Sequence, residues 1–107
     1  MAQERPDYFN AAYGIASAGF ATNTSMAIAT TQAAYHGFSV VAGSTTDATV
    51  TIYDSVGGVA NIVDVVKIGM GKSAWIDRYI PLQAKIGLYL VATGTGVNGT
   101  IFYAPKG

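Results

Sequence analysis

The chain contains no cysteine, which excludes disulfide staples, thiolate metal sites and Cys nucleophiles together. Stability has to come from packing or assembly. Charge is scarce too. Only 11% of the residues are Asp, Glu, Lys or Arg, against roughly 25% in an ordinary soluble domain. The six residues of each sign cancel to a formal net charge of +0, so little long-range repulsion keeps copies apart. Arg5, Lys67, Lys72, Arg78, Lys85 and Lys106 are scattered along the chain, whereas binding a nucleic-acid backbone needs clustered cations. Nucleic acid is therefore not an expected partner. The opening MAQERPDYFN has neither the cationic start nor the apolar stretch of a secretory signal. No run approaches the roughly 18 apolar residues of a spanning helix, so the expectation is a protein made in a cytoplasm and not inserted in a membrane.

What is present is hydrophobic. Half of the 107 residues are apolar or aromatic, in a chain long enough for one core that buries about two thirds of its extended surface. That is more apolar surface than one small core needs. Residues 1–25 differ from the rest: 1–10 hold Glu4, Arg5 and Asp7, and 11–25 are mostly Ala, Gly, Ser and Thr. Gly14 and Gly19 each cost a helix about 1 kcal/mol, so the segment reads as an extended arm with short helical or strand contacts, the alternative on composition being a disordered tail. Tyr8, Phe9, Tyr13 and Phe20 are its candidate interface anchors, which would order it on a partner, and residues 1–20 are expected to be dispensable for folding.

The remainder, 26–107, reads as one β-sandwich domain. Short β-branched or aromatic runs separated by Gly, Asp and Asn are the signature of antiparallel strands, and the candidates are 26–31, 35–42, 48–54, 61–68, 73–80, 87–93 and 99–104. The run Ala48-Thr49-Val50-Thr51-Ile52-Tyr53 alternates with period two, so Val50 and Ile52 share a core face. Gly87–Thr93 and Ile101-Phe102-Tyr103 are apolar on both faces, which suits strands that lie centrally or are covered by a neighbouring subunit. Gly57-Gly58, Gly69-Met70-Gly71 and Asn98-Gly99 supply turns. Pro81 and Pro105, lacking a backbone donor, are expected to end their strands. The fold class is thus all-β, an antiparallel, jelly-roll-like β-sandwich with an N-terminal arm.

Motifs that could carry chemistry lack their context. Residues 94–99, GTGVNG, match a dinucleotide-binding spacing, but no helix follows to face a pyrophosphate. Gly71-Lys72-Ser73 imitates the end of a phosphate-binding loop, yet Val66 stands where the first Gly belongs. His36 is the sole histidine. A triad of Ser39, His36 and Asp54 has no nucleophile elbow behind it. Asp54 is best read as a turn former whose carboxylate accepts backbone N–H groups, and Asp64 and Arg78 would make a cross-strand ion pair if their strands were neighbours. No catalytic residue, metal ligand or cofactor is expected.

Together, SVVAGSTTDATVTIYDSVGG and IPLQAKIGLYLVATGTGVNGTIFY make the chain resemble small β-sandwich virion proteins of tailed bacteriophages. The resemblance rests on a strand ending in an Asp turn (49–54), a Pro-Leu approach to Gly-Leu-Tyr (81–89), a Thr-Gly-Thr-Gly turn (93–96) and a final strand ending in Tyr (100–103). It leaves residues 1–25 uncovered. It implies a structural role, first that of a capsid decoration or cement protein, a homo-oligomer with three-fold symmetry that bridges major capsid protein subunits on the head surface. Tail or head-to-tail adaptor subunits, and glycan-binding modules of fibres, are the alternatives. An exposed Trp75 would favour the last.

Overall fold

The computed structural model describes residues 16–105, with the side chains of Arg78 and Tyr79 left aside. Eight strands follow one another: β1 Ala16–Ala21, β2 Thr24–Ala29, β3 Ala33–Val41, β4 Ala48–Tyr53, β5 Ile62–Ile68, β6 Ser73–Ala84, β7 Leu88–Thr93 and β8 Asn98–Pro105. They form two four-stranded antiparallel sheets, sheet A in the order β1-β8-β3-β6 and sheet B in the order β2-β7-β4-β5. Except within the β4–β5 hairpin, each strand passes to the opposite sheet, which is the winding of a jelly roll. The all-β sandwich read from the sequence is therefore the architecture of the molecule.

Period-two alternation builds the core. Ala48, Val50 and Ile52 are fully buried while Thr49 and Thr51 turn outward on β4. Leu88, Leu90 and Ala92 do the same on β7, and Phe38, Val40 and Ile101 close the layer from sheet A. The two strands that are apolar on both faces are β7 and β8, and both lie centrally: β7 between β2 and β4, β8 between β1 and β3.

Three expectations need correction. The arm drawn over 1–25 reaches too far, because β1 and the start of β2 precede that boundary. Phe20, expected to anchor the arm on a partner, is instead a core residue of β1, 4% exposed and edge-on to Phe38 with ring centroids 6.5 Å apart. Its cross-strand neighbour is Gly99, where a Cβ would come within 2.4 Å of the Phe20 ring. An aromatic ring lying over a strand glycine is a recognised way of holding register. A cut after residue 20 would thus remove a strand and a core side chain. Tyr8, Phe9 and Tyr13 lie outside the described residues.

Pro81 does not end its strand, since β6 continues through it to Ala84. β6 is the edge of sheet A, where a missing donor leaves no partner unsatisfied. The register against β3 also slips there, from Leu82 opposite Tyr35 to Asp77 opposite Gly37. β5 and β6 belong to different sheets, and the Arg78 side chain, the other half of the expected Asp64 ion pair, lies outside the described residues. Asp64 is buried at 8% exposure and accepts a hydrogen bond of 2.9 Å from the Tyr35 hydroxyl.

Candidate functional site

The loops that carried suggestive motifs serve the fold. In the 94–97 turn, Gly94 N–H donates to Asn23 Oδ1 (3.1 Å), Thr95 N–H to Thr46 Oγ1 (2.9 Å), and Gly96 and Val97 N–H to Thr22 Oγ1 (2.7 and 2.9 Å). The donors that a phosphate would need are engaged by the protein's own side chains. Those side chains come from the β1–β2 turn and the β3–β4 loop, so the turn ties three connections together at one end of the sandwich. Gly43 packs against it closely, and a Cβ there would meet the Thr95 carbonyl at 2.0 Å. Gly71-Lys72-Ser73 is the β5–β6 connection: Lys72 N–H donates to Gly69 O (3.0 Å) and Gly71 N–H to Gly43 O (2.8 Å).

At the opposite end, Asp54 holds a turn distant in sequence. Its Oδ2 accepts from Lys85 N–H (3.0 Å), and its Oδ1 accepts from Ile86 and Gly87 N–H (2.8 and 3.2 Å). The local turn after β4 is held instead by Ser55 Oγ, which accepts from Gly57 and Gly58 N–H. Desolvation works to raise the Asp54 pKa, but the three backbone donors and the nearby Lys85 outweigh it, leaving the carboxyl below its ordinary 3.8. With both oxygens occupied at the β6–β7 turn, Asp54 does not join His36 and Ser39 on β3. Among the described residues, no three His, Cys, Asp or Glu side chains gather as a metal site.

The surface offers a different kind of feature. Among the described residues, the exposed large hydrophobic side chains are unevenly placed: apart from Val41 and Trp75, they fall on β5, β6 and their connecting loops between Val56 and Ile86. Ile62 and Val65 stand on β5, and Ile80 and Leu82 on β6, with Ile80 79% exposed. β5 is the edge of sheet B and β6 the edge of sheet A, so the two strands border one flank of the sandwich. The opposite flank, β1 and β2, shows water Ser17, Gly19, Ala21, Ser25 and Ala27. This asymmetry is not visible in the residue pattern. Ile62-Val63-Asp64-Val65-Val66-Lys67-Ile68 is apolar in both phases of a strand, and only the pairing Val50↔Val66 and Ile52↔Asp64 decides which phase turns inward.

A second exposed feature is Trp75, 73% exposed on β6. Ala74 and Ile76 on either side pack toward the core, so the indole stands on the outer face of sheet A. The row across that face runs Trp75, Ser39, Thr100.

No family model matches this chain, and no curated protein does. A solved structure from Bacillus endospore appendages, described as a novel family of disulfide-linked pili, is similar over 84% of this chain and 83% of its own, at 16% identity and a TM-score of 0.48.

Proposed function

We propose that this chain is a non-catalytic assembly protein that associates with its own copies and docks on a larger protein shell, in the manner of a capsid decoration protein on the head of a tailed bacteriophage. The observation that carries the reading is the β5/β6 flank. Large side chains at Val59, Ile62, Val65, Ile80 and Leu82 are open to water although a complete core lies directly behind them. Large apolar side chains exposed along one flank suit contact with other proteins. Formal neutrality adds no repulsion between approaching copies. β6 is also an edge strand that self-pairing could extend, and Pro81 and the slipped register around it break the flat template that would otherwise permit uncontrolled edge-to-edge growth.

In this reading a homo-oligomer, with a trimer as the expected symmetry, presents its remaining apolar surface to major capsid protein subunits. Contacts made only in the assembled shell stabilise that shell by mass action. The test is electron microscopy of particles carrying a label specific for this chain. Label on the head surface supports decoration, label at the tail or the head–tail junction replaces it with an adaptor role, and absence from particles overturns it.

A further inference from the structure

The outer face of sheet A around Trp75 differs from the apolar flank. Shallow depressions open on both sides of the indole. One, of about 420 Å³, is lined by Ser39, Ser73, Asn98 and Thr100 together with Val41. The other, of about 230 Å³, is lined by His36, Asp77 and Phe102. Among the described residues, the side chains of Ser39, Ser73, Asn98 and Thr100 make no hydrogen bond within the protein. Their hydroxyl and amide groups are therefore open to a ligand. Adjacent strands lie about 4.8 Å apart, so Ser39 and Thr100 follow Trp75 at steps of about 5 and 10 Å across β6, β3 and β8.

We propose that this face binds a neutral saccharide, with Trp75 as the stacking platform and Ser39, Asn98 and Thr100 as the hydrogen-bonding rim. A pyranose presents one apolar C–H face and an equatorial rim of hydroxyls. A flat exposed indole with short uncharged donors and acceptors on its Ser39 side matches both parts, since aromatic rings beside polar groups serve ligands that are half apolar and half wet. No Lys or Arg lines either depression, which favours a neutral sugar over an anionic one. The site is open and shallow, so a single binding event is weak, and display of many copies raises its avidity. This inference does not depend on the assembly reading, because it uses a different face.

The chain has one tryptophan, so its fluorescence reports on the site directly. The experiment is a glycan array spanning hexoses, N-acetylhexosamines, deoxyhexoses and uronic acids, probed with the protein displayed multivalently. Every glycan that binds is then titrated in solution, with tryptophan emission and backbone amide resonances as readouts. The expected result is binding to neutral glycans, saturable quenching with a blue shift, and resonance shifts at Ser39, Trp75 and Thr100. Trp75→Ala should lower affinity at least ten-fold with the fold intact, Trp75→Phe should retain part of it, and Thr100→Val should lose about five-fold. An array without binders overturns the proposal. So does glycan binding that survives Trp75→Ala, or a Trp75→Ala variant that alters only self-association, which would make the face a protein interface.

Discussion

The two flanks of the sandwich are built alike and finished differently. β1 and β2 close one side, β5 and β6 the other, and each pair contributes one edge to each sheet. The β1/β2 flank brings Phe20, Met26 and Ile28 to the core and shows only small side chains to solvent. The β5/β6 flank supplies Val66, Ile68 and Ile76 to the interior and carries a second set of large apolar side chains outside. The lesson is that composition alone does not separate large side chains that build the core from large side chains left on the surface. On β1 nearly every large side chain is used inward, whereas on β5 and β6 the outward set adds nothing to the core.

That division predicts opposite behaviours for substitutions on the two flanks, with the shared core as reference. Leu90→Asp places an unpaired charge in the fully buried centre of sheet B, at a cost of several kcal/mol. It should abolish folding by circular dichroism, and a folded soluble variant would break the core assignment. Phe20→Ala should come next, losing about 3–5 kcal/mol in chemical denaturation, because it empties the one large inward position of β1 and uncovers Gly99. If the flank comparison is right, the folded fraction of that variant still assembles normally.

Asp54→Ala should cost less, about 1–2 kcal/mol, a fall in Tm of roughly 4–8 °C per kcal/mol. The sign of its pH dependence follows from the lowered pKa. A depressed folded-state value means the carboxylate's contribution is present above 3.8 and is lost as the pH falls through the folded-state pKa. The stability gap between wild type and variant should therefore be full near neutrality and narrow in acid, and a gap that widened on acidification would contradict the backbone-donor assignment.

Much of this was legible in the residues, for identifiable reasons. β4 was readable from its strict alternation, and the turns at 57–58 and 69–71 from their glycines, whereas Asn98-Gly99, read as a turn, opens β8 and the reversal lies at 94–97. β1 was not, because Ala-Ser-Ala-Gly-Phe-Ala has little intrinsic strand preference and is held by pairing with β8, a contact some eighty residues away in sequence. Pro81 misled because its meaning depends on whether its strand is an edge, which is a property of sheet order. Asp54 was recognised as a receiver of backbone N–H groups, but the turn it holds, 85–87, is reached only through the folded chain. The exposed flank stayed hidden because β5 is apolar in both phases.

The most direct test of the central claim, that the outward apolar set of β5 and β6 is an assembly surface, is sedimentation velocity of the wild type beside a Val65→Lys/Ile80→Lys variant. Surface changes away from special features alter stability by about 0.5 kcal/mol or less each, so both proteins should melt at nearly the same temperature. The account predicts an oligomer for the wild type and a monomer for the variant. A wild type that sediments as a lone 11.1 kDa species, or a variant that assembles as well as its parent, would contradict it.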